Sequence, residues 1–206
     1  TLVGDPTGFS FNAPTPGSIV NSGNLAVSPG EAVVLVGGQV INTGTIAAPG
    51  GDIIITAVEG GNRVRIAQAG QVLNLEVEAL PGGTANPLPF TPATLPQLLT
   101  GNAVTQATGV TVAADGTVTL TGDSTPLPDQ AGTAIAAGTL TAPGGQVDVL
   151  GTTVGLIDAQ IDVSADFGGG QIRIGGDYLG AGPVPNAEIT YVDADTTLNG
   201  DATLHG

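Results

Sequence analysis

The sequence predicts an all-β protein wound as a parallel β-helix, a solenoid in which each turn of chain stacks on the turn before it. The main observation is a phrase of eleven residues that occurs at 45–55 and returns at 139–149. Looser copies occupy 37–41 and 169–174. Each copy joins a glycine corner to a short β-branched run, the unit of chain that turns and then forms another strand.

Composition supports the same fold class. Thr, Val and Ile dominate the regular segments, whereas Lys and Met are absent, so strands are favoured over helices. The connections between the predicted strands are too short for helical crossovers, and Asn-Gly hairpin signals are rare. Strands joined by such corners can be parallel only if the chain coils.

The predicted elements begin with loop and short strands over residues 1–30, with alternation at 9–12. Four strands then follow in quick succession at 32–36, 39–41, 45–47 and 52–57. Residues 64–66 and 73–77 extend this coil pattern, and their alternation predicts that Leu73, Leu75 and Val77 point inward.

Residues 80–132 form a predicted excursion from the solenoid within a single domain over 1–206. Five prolines between 81 and 96 prevent continuous ladder pairing, and residues 95–99 are expected to form one short helical turn. Asp115 and Gly116 predict a hairpin between strands at 110–112 and 117–121.

The coil pattern returns at Thr133 and continues to residue 174, followed by alternating turns and strands at 189–192 and 197–198. We expect about 20–25 residues per coil, strands about 4.8 Å apart, and a core of stacked Val, Ile, Leu and Ala. The beginning at Thr1 and the end at Gly206 carry no capping signal, which favours a slice of a longer chain.

Charge excludes two classes of partner. The chain has 3 basic and 18 acidic residues and a net charge of −15, so it lacks the cations that bind nucleic acid or anionic membranes. It has no cysteine, which excludes disulfides and thiolate sites. No signal peptide and no apolar run of membrane-spanning length are present.

The residues predict no catalytic, cofactor-binding or metal site. His205 is the only histidine and lies next to the last residue, where a solvated side chain is expected. Without lysine the chain has no phosphate-binding loop of the Gly-Lys type, and no serine lies in a Gly-x-Ser-x-Gly sequence. Thr-x-Thr pairs, which order water on some solenoids, do not recur at coil spacing.

Two clusters of acidic residues have a possible function in addition to a purely structural interpretation. Asp158, Asp162 and Asp166 fall every four residues, and paired carboxylates could serve as acid and base in a glycan hydrolase. The alternation with Ile161 favours an outward, solvated Asp162. The other group contains oxygen ligands of the kind that calcium prefers, but ordinary turns are favoured and calcium stays open. Its members are Asp193, Asp195, Asn199 and Asp201.

The glycine corners also resemble those of a known family. Several segments are similar to the filamentous-haemagglutinin-like exoproteins of two-partner secretion systems, in the style of the cyanobacterial members. These segments are residues 168–178, 180–187 and 190–192 and, upstream in the same order, residues 5–11, 36–40, 48–51 and 98–101. The resemblance implies a right-handed parallel β-helix, export through an outer-membrane partner transporter, and no catalytic residues. The Asn-Pro-Asn-type motifs of the family's secretion domain are missing, so the export signal is expected upstream.

The resulting hypothesis is a structural, non-catalytic segment of a secreted filamentous adhesin or extracellular matrix fibre. Its expected partners are the transporter during export, then cell-surface or matrix glycans or proteins. Two alternatives remain open: a carbohydrate-active β-helix hydrolase, and a homopolymeric fibre subunit that stacks end to end through exposed strand edges.

Overall fold

The chain is built from β-strands in the computed structural model, which describes residues 8–69, 72–79, 109–121, 130–182 and 184–204. Within these ranges the helical content is one short 3-10 turn at Tyr178–Gly180. The all-β prediction is therefore confirmed. The predicted helical turn at 95–99, and the prolines around it, lie outside the described residues.

Three parallel sheets form the body of the described chain. Sheet I contains β2 (Ile19–Asn21), β5 (Gln39–Asn42), β12 (Thr133–Ala136), β15 (Thr153–Leu156) and β18 (Ile189–Val192). Sheet II contains β3 (Asn24–Ala26), β6 (Thr45–Ala47), β13 (Thr139–Thr141), β16 (Gln160–Asp162) and β19 (Thr197–Asn199). Sheet III contains β4 (Val33–Gly37), β7 (Asp52–Ala57), β14 (Gln146–Leu150) and β17 (Gln171–Ile174).

The chain visits the three sheets in rotation, which is the strand order of a parallel β-helix. Thr133 lies beside Thr153, 20 residues later, and Gln146 lies beside Gln171, 25 residues later. These spacings confirm the predicted coil length for that turn. The last turn is longer, with Thr153 beside Ile189 after 36 residues, because a loop at 175–188 enlarges it.

The repeated phrase stacks directly on itself. Thr45 pairs with Thr139 and Ile53 pairs with Val147, so each position of the first copy lies beside its counterpart 94 residues later. The coil before residue 58 and the coil after residue 132 are thus in the same register. The two looser copies are not equivalent positions, since Gln39 begins a strand of sheet I and Gln171 a strand of sheet III.

The core is a stack of inward-facing apolar columns. In sheet II the inward column runs through Ile46, Leu140 and Ile161, whose exposed fractions are 0%, 0% and 1%. Burial of one such side chain contributes on the order of 1.5–3 kcal/mol to folding. The predicted core of Val, Ile, Leu and Ala is confirmed.

A glycine corner connects sheet II to sheet III in each copy of the phrase. A Cβ at Gly145 would clash with the carbonyl oxygen of Gly51, one coil below. Successive coils lie only about 4.8 Å apart, so neither backbone can move away without breaking the ladder. The repeated glycine is therefore required by the close approach of two backbones.

An antiparallel outer sheet corrects one expectation. It has the order β1 (Gly8–Phe11), β8 (Asn62–Ala69) and β9 (Val72–Ala79), and both pairings are antiparallel. The expectation that residues 64–66 and 73–77 extend the parallel coil is wrong. Alternation has a period of two in either kind of sheet, so the sequence pattern does not separate them. The inward orientation of Leu73, Leu75 and Val77 lies outside the described side chains.

The predicted hairpin around Gly116 is confirmed. Strands β10 (Gly109–Val112) and β11 (Val118–Thr121) pair antiparallel. The Thr117 N–H donates to Asp115 Oδ1 at 2.9 Å, and Gly116 has φ of +87°. An aspartate that bonds two residues ahead, followed by a left-handed glycine, is a favourable turn combination.

Candidate interaction surface

The three sheets differ in what covers their outer faces. On sheet III, the outward side chains of Val34, Ile54 and Leu150 form an apolar cluster with Val64 of β8, and Phe11 of β1 packs against it. The outer sheet therefore covers sheet III. Strand β7 is accordingly buried on both faces over most of its length, which explains the unbroken apolar run at Ile53–Ile55.

Sheet I is covered in a similar way by the β10–β11 hairpin. Its outward Ile41 and Ile135 are fully buried and cluster with Val118 and Leu120 of β11. Strands β8, β10 and β11, which lie between β7 and β12 in the sequence, thus contribute a cover to two of the three faces.

Sheet II keeps an open outer face as far as the described residues are concerned. Its strands alternate between a buried central residue and more exposed flanking residues in β6, β13 and β16. One outward column is polar throughout. It consists of Asn24, Thr45, Thr139, Gln160 and Thr197.

A buried ion pair lies on the outer face of sheet III. Arg173 Nε donates to Asp148 Oδ1 at 2.8 Å and Arg173 Nη2 donates to Asp148 Oδ2 at 2.6 Å. Gln146 Nε2 adds a bond to Asp148 Oδ2 at 2.8 Å. The Asp148 side chain is 0% exposed and that of Arg173 is 9% exposed. This two-pronged geometry satisfies both carboxylate oxygens.

Two effects act in opposite directions on the pKa of Asp148. Burial raises the pKa of Asp148, and the bonds from Arg173 and Gln146 act against that rise. The bond to Asp148 raises the pKa of Arg173, which stays protonated. Loss of either partner would leave a buried group without its counter-charge, the costly case for buried ion pairs.

The ion pair continues into the loop at 175–188, described apart from residue 183. Asp177 Oδ2 lies 3.5 Å from Arg173 Nη1, and Asp177 Oδ1 accepts a bond from the Tyr178 N–H at 2.8 Å. Asn186 Nδ2 donates to the Gly180 carbonyl at 3.1 Å, closing the loop on itself. Val184, 3% exposed, joins the apolar cluster over sheet III.

The tip of this loop presents two large side chains to solvent. Tyr178 is 83% exposed and Leu179 is 84% exposed. Leu179 has φ of +55°, in the left-handed region that disfavours branched side chains. A firmly anchored loop therefore holds an apolar pair in water in a strained conformation.

The three aspartates considered for hydrolysis are placed around β16. Asp158 occupies the exposed corner before the strand, Asp162 ends the strand, and Asp166 follows in the next corner. The Ser164 N–H donates to Asp162 Oδ1, and this bond lowers the pKa of Asp162. Asp166 Oδ1 accepts from the Thr203 hydroxyl instead. The two carboxylates therefore have separate local partners and share none.

The aspartates considered for calcium include one with a turn role. Asp193 Oδ1 accepts from both the N–H and the hydroxyl of Thr196, and Oδ2 accepts from the Asp158 N–H. These bonds fix the corner between β18 and β19 and tie it to the corner below. No group of three metal-ligating side chains occurs among the described residues. His205 lies outside them.

The other two arginines lie on the outer sheet. Arg63 and Arg65 are exposed, and Arg63 Nε donates to Ser10 Oγ at 3.4 Å. The register places Arg63 opposite Glu78 and Arg65 opposite Glu76 on β9.

Sequence reasoning missed the ion pair and the loop that it anchors. The signal was present in the repeated phrase: its tenth position, which faces outward, is Ile54 in one copy and Asp148 in the other. Ile54, Asp148 and Arg173 follow each other in one outward column. An apolar residue beside two opposite charges in such a column indicates a covered face that contains a salt bridge.

Comparison with known proteins gives one structural similarity. The chain is similar to the HMW1 secretion domain from Haemophilus influenzae, with a TM-score of 0.37 and 20% identity over 91% of this chain and 51% of that chain. The chain thus spans about half the length of that domain. No family model matches the sequence, and no curated protein matches it. The described residues contain no helix that is long and apolar enough to span a membrane.

Proposed function

We propose that the chain is a structural, non-catalytic segment of a secreted two-partner exoprotein, in which a stiff β-helical rod displays loops outside the cell. The observation that carries the proposal is the stack of parallel coils that keeps its register across residues 58–132. A scaffold of this kind accepts large insertions on its outside because each coil contacts only its neighbours.

The finer architecture belongs to the same proposal. We take the winding as right-handed, because about 98% of crossovers between parallel strands have that hand. The family follows from the sequence resemblance of the glycine corners, with export through an outer-membrane partner transporter. The exposed loops support adhesive or matrix duty at the cell surface as part of the same proposal.

Export is the step that tests this proposal most simply. The parent gene is expressed with and without its candidate partner transporter, and an antibody against the described coils is applied to intact cells. We expect surface labelling only when the transporter is present. Retention of the chain inside the cell in both strains would contradict the proposal.

A further inference from the structure

We propose that the loop at 175–188 is a recognition element for neutral carbohydrate, with Tyr178 as the stacking residue and Leu179 beside it. The inference rests on the proposed display function and assigns a ligand class to one displayed loop. Three properties of the loop select that class: its anchoring, its charge and its size.

The anchoring contacts fix the loop that carries the exposed side chains of Tyr178 and Leu179. Asp177 connects the Tyr178 backbone to the buried Arg173–Asp148 pair, and Val184 packs into the cluster over sheet III. Leu179 keeps a left-handed backbone that glycine would adopt without strain. Strain that the surroundings enforce at an exposed position points to a binding role.

The charge of the loop tip is zero in a chain of net charge −15. Residues 178–187 contain no charged side chain. The adjacent carboxylate, Asp177, already accepts from the Tyr178 N–H and faces Arg173, so it does not serve a cationic partner. The acidic body repels polyanions, which leaves an uncharged ligand.

The size of the tip selects a small ligand. An aromatic side chain buries about 150–250 Å² on contact, whereas a stable protein interface takes about 800 Å² from each partner. Tyr178 and Leu179 therefore suit one or two sugar rings better than a folded protein or a second copy. The exposed ring of Tyr178 offers a flat apolar face to sugar C–H groups.

Nuclear magnetic resonance of the full 206-residue chain with labelled tyrosine tests the inference, because the chain has only Tyr178 and Tyr191. The probes are cellotetraose, maltotetraose, chitotetraose and mannotetraose, with tetragalacturonic acid as the charged control. We expect at least one neutral probe to shift the Tyr178 ring signals and leave those of Tyr191 in place. The Kd should be about 1 mM, as suits a single weak contact.

Variants at exposed positions keep the result interpretable. Binding by the variants is read from the saturation-transfer signals of the sugar, because Tyr178→Ala and Tyr178→Phe have no Tyr178 ring to observe. Tyr178→Ala should weaken binding about tenfold, as the loss of one aromatic stacking contact would. Tyr178→Phe should retain most of it. Phe167→Ala is the matched control, because Phe167 is an aromatic residue that is 84% exposed but lies outside the loop. It should leave binding unchanged.

Three results would overturn the inference: no Tyr178 shift with any neutral probe, undiminished binding by Tyr178→Ala, or equal binding of tetragalacturonic acid. The export assay keeps this outcome separate from the proposed function. Surface display without sugar binding would remove the ligand assignment alone, whereas sugar binding by a chain that is never exported would remove the display proposal.

Discussion

Sheets II and III are built from the same repeated phrase, yet one has an open outer face and the other is covered. On sheet III the outward Ile54 is fully buried beneath the outer sheet, and Asp148 is buried with Arg173. On sheet II the outward Thr139 and Gln160 are exposed. The coil therefore fixes the inner columns, whereas residues outside the coil decide what the outer columns contain.

The largest expected effect breaks the ion pair on the covered face. Asp148→Ala removes the counter-charge of Arg173 and should lower the free energy of unfolding by about 3–5 kcal/mol. Urea denaturation measures it. Asp162→Ala is the control on the open face and should cost about 1 kcal/mol or less, since it removes one partly buried hydrogen bond and no ion pair.

A double variant sharpens that result. Asp148→Leu with Arg173→Met replaces the pair by apolar side chains and should recover at least half of the lost stability, because no buried charge remains. If the double variant is as unstable as Asp148→Ala alone, the loss is not due to an uncompensated charge and the electrostatic explanation is wrong.

Truncation of an outward side chain on each sheet compares the covered face of sheet III directly with the open face of sheet II. Ile54→Ala should lower the free energy of unfolding by about 2–4 kcal/mol, since it opens a cavity beneath the outer sheet. Thr45→Ala, at an outward position of the same coil on sheet II, should stay within about 0.5 kcal/mol. Equal losses in the two variants would show that sheet II is covered as well.

A substitution at the glycine corner should affect sheets II and III together, because the corner connects them. Gly145→Ala should cost about 1–3 kcal/mol by forcing two coil backbones apart. Gly17→Ala is the matched control, since nothing lies within 4 Å of the added carbon. Thermal denaturation of both variants checks the difference, and a Gly145→Ala variant as stable as the parent would argue against stacked corners.

The smallest effect concerns the loop over the covered face. Leu179→Gly relieves the left-handed strain but adds chain entropy to the unfolded state, so the free energy of unfolding should rise by up to about 1 kcal/mol. Denaturation in urea detects this gain. A loss of stability would mean that Leu179 supports the fold and is not held for another purpose.

The sequence was a good guide to the coil and a poor guide to its surroundings. The phrase that begins at Thr45 and returns at Thr139 predicted strands that lie beside each other, because a shared inner column requires a shared register. Strands β8 and β9 were misassigned, since alternation at residues 73–77 suits antiparallel and parallel pairing alike.

The candidate loop was harder to predict. Its anchor joins Asp148 to Arg173, which are 25 residues apart and meet only because successive coils stack. Asp177 connects the backbone of Tyr178 to Arg173, and Val184 packs into the cluster over sheet III. Such features arise from tertiary packing, which local patterns in a glycine-rich segment do not encode.

The central claim is that the coil before residue 58 stacks directly on the coil after residue 132, and a designed disulfide tests it. The chain has no cysteine, and Thr45 and Thr139 face each other on the open sheet II. Neighbouring strands lie about 4.8 Å apart, within the range for a disulfide, whereas strands two rungs apart are about 9.6 Å away. Thr45→Cys with Thr139→Cys should oxidise completely to an intramolecular bond, and Thr45→Cys with Gln160→Cys should not. An unreactive first pair, or a bond formed only by the second, would contradict the stacking.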